Sequence, residues 1–362
     1  MVGITSPLTP GNYEVDFYLD KGAGIDASKP DQFRAWTIAA PPPTPTPTTS
    51  PTPPPVTGVT PLPPAYLGSS AWGVDAPDDN DQAAWVNSGF TAGGSDGSRG
   101  YSEKGYAYVL NNLSQLPTIS NSANGGGTRF GPVTVDGLPA ILHNVRQGDA
   151  LRYQGNRSGI VYGGYAIQHG EDHWFAWAFK LGTEWQVANS GGHGDRNGLF
   201  DTHQQTATIG NPSGLNWWGD SPAGHELWWY VERMDGSGSA FLYNAPAAPG
   251  QWQRCIIHYR SGSLAQGPVY DVWFATGTAA YVKLPRAIDP YTGTQWTTVP
   301  AFGDITNNLT GQVDYPKLEF YKWTHDIYGN MPNRNYWTSG LFAAPGLDNY
   351  DAAVAALAPY AK

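Results

Sequence analysis

The chain contains little of several residue types on which many proteins depend. Only one of its 362 residues is a cysteine, Cys255, so no internal disulfide can form and the core must stabilise the fold. No apolar run approaches the roughly 20 residues that span a bilayer. The opening residues, MVGITSPLTPGNYEV, lack the basic and apolar regions of a signal peptide. These absences exclude a disulfide scaffold and argue against a membrane partner.

Positive charge is also scarce, since the formal net charge is −10 and the pI about 5.1. This balance argues against a nucleic-acid partner, although it allows an anionic ligand in a local basic cleft. The G-x-S-x-G, P-loop and H-E-x-x-H motifs do not occur in the sequence. The Glu-x-Asp-x-x-Glu strand of jelly-roll glucanases is missing too, which lowers the expectation of a retaining glycosidase of that type.

The residues that are abundant favour an all-β protein. Aromatic residues make up 13% of the chain, with 15 Trp and 21 Tyr, and there are 45 Gly and 31 Pro. Many aromatics and many turn formers are typical of short strands joined by tight turns. Helical periodicity is limited to DAPDDNDQAAWVNSG and to the C-terminal YDAAVAALAPYAK. We therefore predict a β-sandwich of the jelly-roll kind. Cys255, within the strand-like WQRCIIHYR, is predicted to be a buried structural thiol.

Three regions follow one another along the chain. Residues 1–39 hold two strand-like runs and are interpreted as a partial β-module or as docking strands, because two strands make no stable core alone. Residues 40–64 form a Pro/Thr-rich linker that favours extended polyproline. Residues 65–362 are long enough for a two-sheet core. Such linkers commonly join modules of extracellular polysaccharide-degrading enzymes, so we expect a secreted protein with further modules upstream.

The segment DYPKLEFYKW, residues 314–323, places unusual side chains at alternate positions. Tyr315, Lys317, Glu319 and Tyr321 would lie on one face of a strand, and mostly apolar side chains on the other. Such a face is either an ordinary solvated surface or a polar cleft that performs chemistry.

Two further segments carry candidate functional residues. In GLFDTHQQTAT, Asp201, His203 and Gln205 share a strand face, and the histidine is a candidate general base. The alternative for a lone histidine is a partly exposed polar strand. Arg152 and Arg157 lie in VRQGDALRYQGNRSGIVYGG, and either could bind a carboxylate in a bidentate manner or be ordinary surface charge.

No metal is expected at these residues. The nearest concentration of possible ligands, in HGEDHWFAW, matches no tetrahedral zinc spacing, and a turn before a buried strand is the better interpretation. A structural calcium ion on the acidic loop DAPDDNDQ is the one exception that the sequence leaves open.

The order of the motifs resembles that of a known family. HNVRQGD, GNRSGI, HWFAWAFKL, FDTHQQT, WQRCIIHYR…VYDVWFATG and YPKLEFYKW follow one another between about residues 130 and 325. This arrangement is similar to that of heparin-lyase-like and alginate-lyase-like polysaccharide lyases with a concanavalin-like jelly roll. Those lyases carry a strand of the form Tyr-Phe-Lys-x-Gly-x-Tyr, whose polar positions match Tyr315, Lys317 and Tyr321.

The resemblance implies roles for individual residues. Tyr321 corresponds to the catalytic tyrosine and Lys317 to a substrate-binding cation. The family's Gln-x-His strand matches residues 201–203, so that His203 corresponds to the catalytic histidine. The arginine of its Arg-x-Glu motif matches Arg157, with Arg152 as the other choice. The implied reaction is β-elimination in a uronic-acid polysaccharide, for which no cofactor is required.

Three positions depart from the family pattern. Asp201 replaces the glutamine, Glu319 replaces the glycine, and Gly159 replaces the glutamate after the arginine. An ionised Asp201 would repel a uronate carboxylate. Either its surroundings keep Asp201 protonated, or Gln205 takes over the role of the glutamine, or the substrate differs.

Two other functions remain open from the sequence. A non-catalytic, lectin-like carbohydrate-binding module would have the same fold and the same aromatic residues. A glycoside hydrolase would need paired carboxylates, for which Asp201 and Glu319 are the attractive candidates. The sequence does not name the polymer, so alginate, glucuronan and glycosaminoglycans are all candidate substrates.

Overall fold

A computed structural model describes the strands at 11–17, 32–38 and 73–75 and, with gaps, residues 113–362. The larger gaps fall at 150–154, 163–166, 187–195, 205–210, 304–313 and 324–332. The predicted linker at 40–64, the predicted helix after Asp75 and the acidic loop proposed for calcium lie outside the described residues. The chain divides into two compact units, residues 1–59 and 60–362.

The first unit contains one antiparallel pair of strands. Strand β1 (Gly11–Phe17) pairs with β2 (Gln32–Ile38), and Gly11 lies opposite Ile38 at the start of the ladder. Both strand-like runs of the sequence are therefore strands.

The second unit is built almost entirely from strands. In chain order these are β3 (Gly73–Asp75), β4 (Ile119–Ser120), β5 (Thr128–Val135), β6 (Leu138–Val145), β7 (Gly155–Val161), β8 (His173–Leu181), β9 (Arg196–Gln204), β10 (Ser213–Ser221), β11 (Gly224–Glu232), β12 (Ser239–Pro246), β13 (Trp252–Arg260), β14 (Val269–Thr276), β15 (Val282–Lys283), β16 (Asp314–Trp323), β17 (Arg334–Thr338) and β18 (Phe342–Pro345). One α-helix, α1 (Tyr350–Leu357), follows the last strand among the described residues.

These strands form two antiparallel sheets. The seven-stranded sheet has the order β12-β11-β10-β9-β16-β7-β3. The nine-stranded sheet has the order β15-β14-β13-β8-β17-β6-β5-β4, with β18 paired to β8. The two sheets pack face to face, and the prediction of an all-β jelly-roll sandwich is confirmed.

Aromatic side chains fill the space between the sheets. Phe200 and Leu318 project into it from the seven-stranded sheet, and Trp177 and Ile257 project from the nine-stranded one. The rings of Trp177 and Phe200 stack with their centroids 4.5 Å apart and so join the two layers. Cys255 lies in the same core and is fully buried, which confirms the prediction of a buried thiol.

The continuous apolar run of β8 has a physical explanation. One face of this strand enters the core, while Trp174, Ala176 and Ala178 on its other face belong to a second apolar cluster. Helix α1 covers that cluster with Ala353 and Leu357. A strand buried on both faces loses the polar alternation of a surface strand. No helix in the described part of the chain has the length and hydropathy needed to cross a bilayer.

The core contact between the sheets makes a stability prediction. Replacing Trp177 with alanine removes a fully buried side chain, and we expect a loss of about 3–5 kcal/mol in the free energy of unfolding. Chemical denaturation measures this loss. Leu264→Ala is the control, because Leu264 is 70% exposed and its removal should change stability by less than about 0.5 kcal/mol. Equal effects of the two substitutions would contradict this account of the core.

Candidate active site

Strand β16 lies between β9 and β7, and the register of these three strands determines the site. Lys317 lies opposite Asp201 of β9, and Tyr315 lies opposite His203. On the other side, Tyr321 lies opposite Arg157 of β7. Leu318 and Phe320 point into the core. The alternate residues of β16, Lys317, Glu319 and Tyr321, therefore lie on the outer face of the sheet. The strand alternation seen in the sequence thus produces one connected polar cluster.

Lys317 lies at the centre of this cluster, between two carboxyl groups. Its Nζ is 3.3 Å from Oδ2 of Asp201 and 3.2 Å from Oε1 of Glu319. All three side chains are almost fully buried. Asn211 donates a hydrogen bond of 2.8 Å to Oδ2 of Asp201. Nη1 of Arg157 is 3.9 Å from Oε2 of Glu319, a looser ion pair.

The two carboxyl groups do not carry equal charge. Burial raises the pKa of Asp201 well above its usual range, and the nearby Glu319 raises it further against the opposing effect of Lys317. Burial also disfavours ionisation of Glu319, but Lys317 and Arg157 outweigh it and lower the pKa of Glu319 to about 2. A hydrogen bond between the two carboxyl groups also raises the pKa of Asp201 and lowers the pKa of Glu319. Asp201 therefore holds the proton of the pair.

This distribution leaves the cluster positively charged. The ammonium group of Lys317 and the guanidinium group of Arg157 both face the ionised Glu319, and the neutral Asp201 adds no second negative charge. Taken together, these four side chains carry one net positive charge, in a chain whose formal charge is −10. An anionic group can bind there without meeting a second negative charge from Asp201.

His203 and Tyr315 form a couple at one end of the cluster. The Tyr315 hydroxyl and Nδ1 of His203 are 3.1 Å apart, and the two rings stack with centroids 5.3 Å apart. In the tautomer whose Nδ1–H donates to the Tyr315 oxygen, Nε2 carries the lone pair that a general base requires. His203 is half-buried.

Tyr321 and Arg157 form a second couple at the other end. The guanidinium carbon of Arg157 lies 4.4 Å from the centre of the Tyr321 ring. Burial raises the pKa of Tyr321, while the charge of Arg157 opposes this effect. Tyr321 is consequently a neutral phenol near pH 7, which suits a general acid.

The site differs from the sequence-based expectation in one respect. His203 hydrogen-bonds to Tyr315, whereas Tyr321 lies opposite Gly198, five residues before His203 on β9. A β-bulge between Leu318 and Tyr321 shifts the register there. His203 and Tyr321 therefore belong to opposite ends of the cluster and make no direct pair.

Two of the departures from the family pattern are neighbours in the structure. Gly159 of β7 lies directly opposite Glu319 of β16. A Cβ atom at position 159 would lie 2.5 Å from the Cβ of Glu319, closer than such atoms approach in proteins. Glu319 on β16 thus requires a glycine at position 159 of β7. In the family pattern the glutamate is at the position of Gly159, so the carboxylate has changed strands but occupies the same point of the sheet.

Sequence reasoning missed two residues of the cluster. Besides Asn211, Tyr230 of β11 approaches Asp201 across Gly214, where a Cβ atom would lie 2.7 Å from the tyrosine ring. Burial and the charges of the nearby carboxyl groups raise the pKa of Tyr230. Only the strand register could have revealed this approach, because Gly214 itself has no side chain to signal it.

Other predicted residues are not placed here. Gln205 and Arg152 lie outside the described residues. Within the described part of the chain, no three His, Cys, Asp or Glu side chains are grouped to hold a metal ion. In the predicted turn after His169, Asp172 instead accepts hydrogen bonds from His258 at 2.6 Å and Arg260 at 2.5 Å.

Comparison with known proteins gives a low structural similarity to alginate lyases. An alginate lyase from Klebsiella pneumoniae aligns at a TM-score of 0.42 and 13% identity, over 76% of this chain and 95% of that one. A marine PL-14 alginate lyase from Aplysia kurodai aligns at a TM-score of 0.40 and 7% identity, over 60% and 87%. Alginate lyase AlyC3 in complex with dimannuronate aligns at a TM-score of 0.37 and 8% identity, over 57% and 74%.

No protein-family model matches the chain, and the search of curated proteins found no match either. At such low scores, the assignment of an activity depends on the residues of the site.

The unequal carboxyl pair makes a prediction about Asp201. Asp201 stays protonated in the folded protein, whereas in the unfolded chain it loses its proton above pH about 4. The free energy of unfolding therefore decreases as the pH rises from about 4 towards neutrality. An asparagine at this position has no such proton to hold. We expect the stability of Asp201→Asn, measured by urea denaturation relative to the wild type, to increase over this pH range. A pH-independent difference would contradict the assignment.

Glu319→Gln is the matched variant and should behave in the opposite way. The ionised Glu319 stabilises the fold above its usual pKa of 4.5, and this contribution is lost as the pH falls through about 2. Removing the charge leaves Lys317 with a neutral Asp201, so we expect a loss of about 3–5 kcal/mol at neutral pH. If Glu319→Gln were stable and Asp201→Asn unstable, Glu319 would be the protonated carboxyl group and Asp201 the ionised one.

Proposed function

We propose that this protein is a polysaccharide lyase that cleaves a uronic-acid-containing polysaccharide by β-elimination. The observation that carries the proposal is the net positive cluster of Arg157 and Lys317, which has a candidate base at one end and a candidate acid at the other. The polymer is the proposed partner, and no cofactor is needed for this chemistry.

The substrate carboxylate is the group that the cluster would bind. Arg157 is its first ligand, because its pair with Glu319 is loose and its side chain is the more exposed of the two cations. The more deeply buried Lys317 adds a second positive charge below Arg157. Neutralising a uronate carboxylate makes the C5 proton more acidic and stabilises the enolate-like intermediate, an effect worth several kcal/mol.

The proton transfers follow from the two ends of the cluster. His203, oriented by Tyr315, removes the C5 proton through Nε2. The electron pair forms the C4–C5 double bond while the bond from C4 to the glycosidic oxygen breaks. Tyr321 donates its proton to the departing oxygen. The C5 hydrogen and the departing oxygen belong to adjacent carbons of one sugar, so His203 and Tyr321 must reach the same ring from the two ends of the cluster.

The hydrolase alternative has weaker support. Asp201 and Glu319 both bind Lys317, so a lysine occupies the space between the carboxyl groups where a glycosidase holds its substrate. A purely lectin-like role leaves the His203–Tyr315 couple and the buried charges without a purpose. We propose a secreted or extracellular location on the basis of the linker and of the polymeric substrate.

Ultraviolet absorbance of the unsaturated product tests the proposal. We expect the wild type to raise this absorbance with at least one of alginate, glucuronan or hyaluronan. Tyr321→Phe and His203→Ala should each lower kcat by about 100-fold or more, because general acid and base catalysis contribute about that much. Tyr315→Phe should act through His203 and therefore lower kcat less.

The outcomes separate the alternative functions. New reducing ends without any absorbance would indicate a hydrolase. Binding without cleavage would indicate a sugar-binding module. Full activity of Tyr321→Phe would remove this residue from the mechanism.

A further inference from the structure

A third cation, Arg196, lies on the same outer face of the seven-stranded sheet as Lys317 and Arg157. Arg196 begins β9 and lies opposite Trp218 of β10. Its guanidinium carbon is 4.4 Å from the centre of the Trp218 ring and 5.0 Å from that of Tyr291. No carboxylate among the described residues forms a salt bridge with Arg196, in contrast to Arg157 and Lys317. Within the described part of the chain, this guanidinium therefore has no carboxylate to compensate its charge.

Tyr291 is exposed and nevertheless firmly held. It is 55% exposed, and its hydroxyl accepts a hydrogen bond from Arg196. The fully buried Asp289 accepts hydrogen bonds from the backbone N–H groups of Tyr291 and Thr292, at 3.0 and 3.1 Å. Its second oxygen accepts bonds from the Phe241 backbone and the Trp296 indole, at 3.1 and 3.2 Å. An aromatic ring fixed in this way binds a ligand at little cost in conformational entropy.

An apolar cluster supports both side chains from below. It consists of Trp218, Trp228, Tyr230, Phe241 and Ala287. Tyr230 also borders the charged cluster through Asn211 and Asp201. The surface around Arg196 is thus continuous with the candidate active site.

The strand register gives the spacing between the two sites. Tyr321 lies opposite Gly198, and Arg196 is two residues further along β9, roughly 7 Å away at the usual rise of a strand. His203 is seven residues from Arg196, roughly 23 Å along the strand. Arg196 therefore lies beyond the Tyr321 end of the cluster, where the next part of an extended ligand would lie.

We propose that Arg196 and Tyr291 form a second subsite for a uronate residue of the polysaccharide, distal to the residue that undergoes elimination. The guanidinium pairs with the carboxylate of this sugar, and the exposed face of Tyr291 stacks on its ring. This subsite rests on the proposed lyase function, because it requires a polyanionic substrate lying along the sheet. It makes the protein selective for chains long enough to reach both sites.

Substrate length tests the subsite. Arg196→Ala should raise KM about tenfold on the uronate polymer that the wild type cleaves, the effect of losing one charge-assisted hydrogen bond, with kcat unchanged. On a disaccharide of the same uronate, which is too short to fill both sites, the increase should be smaller. Arg196→Lys should recover only part of the affinity, because a lysine keeps the charge but not the planar stack.

Controls separate the possible results. Lys283→Ala removes a cation that lies 5.1 Å from the centre of the Trp273 ring on the other sheet, and it should leave KM unchanged. Retardation of each variant in native gels containing alginate, glucuronan or hyaluronan measures binding independently of cleavage, and melting temperatures show whether each variant is folded. Tyr291→Ala, which removes an exposed ring, should weaken binding as well.

Three results would overturn the subsite. An unchanged KM for both Arg196→Ala and Tyr291→Ala would do so while leaving the lyase function intact. Equal increases on polymer and disaccharide would place Arg196 in the catalytic centre. A wild type that neither binds nor cleaves any of the three polymers would overturn the proposed function and the subsite together.

Discussion

The ammonium group of Lys317 lies between two buried carboxyl groups, and the chemistry of the site depends on how these three groups share their charges. Two ionised carboxylates at this depth would be costly, because burial disfavours both charges and their mutual repulsion adds to it. A single proton on Asp201 removes that repulsion and leaves Glu319 to balance the cations. The site therefore keeps a positive charge that an anionic sugar can use.

The sandwich supplies the conditions for this charge distribution. The inner face of β16 is anchored by Leu318 and Phe320 in an aromatic core, so the outer face of the strand cannot rotate away from its neighbours. On that outer face, Gly159 and Gly214 leave space for the side chains of Glu319 and Tyr230. Glycine is required at both points because a Cβ atom would collide with a neighbouring side chain. The buried charges thus depend on close packing between strands that are far apart in the sequence.

Part of this arrangement could be predicted from the sequence. The alternation in β16 identified its polar face, and the apolar periodicity of YDAAVAALAPYAK predicted the helix at Tyr350–Leu357. The Asp-Gly pair between β5 and β6 is typical of a tight hairpin turn, and Asp136 and Gly137 both have the positive φ of that turn type. Each of these features is local, so a short stretch of sequence contains the information.

The remaining features depend on contacts between distant segments. The pairing of His203 with Tyr315 follows from the register of β9 against β16, which no single strand encodes. The segment SGLNWWGDS is hard to recognise as a strand, because NPSG beside it is typical of a turn and its aromatic side chains are buried on both faces. The proton on Asp201 depends on burial and on Glu319, which lies on another strand. Such properties emerge only when the sheet has formed.

The most direct test of the account is the protonation state of the carboxyl pair. Carbon-13 NMR of labelled aspartate and glutamate carboxyl groups, assigned with Asp201→Asn and Glu319→Gln, would follow both residues as the pH is lowered from neutrality. The account predicts a protonated Asp201 and an ionised Glu319 near neutral pH, with Glu319 accepting a proton only in strong acid. Two ionised carboxylates near neutral pH would contradict it, because the cluster would then carry no net positive charge with which to bind a uronate.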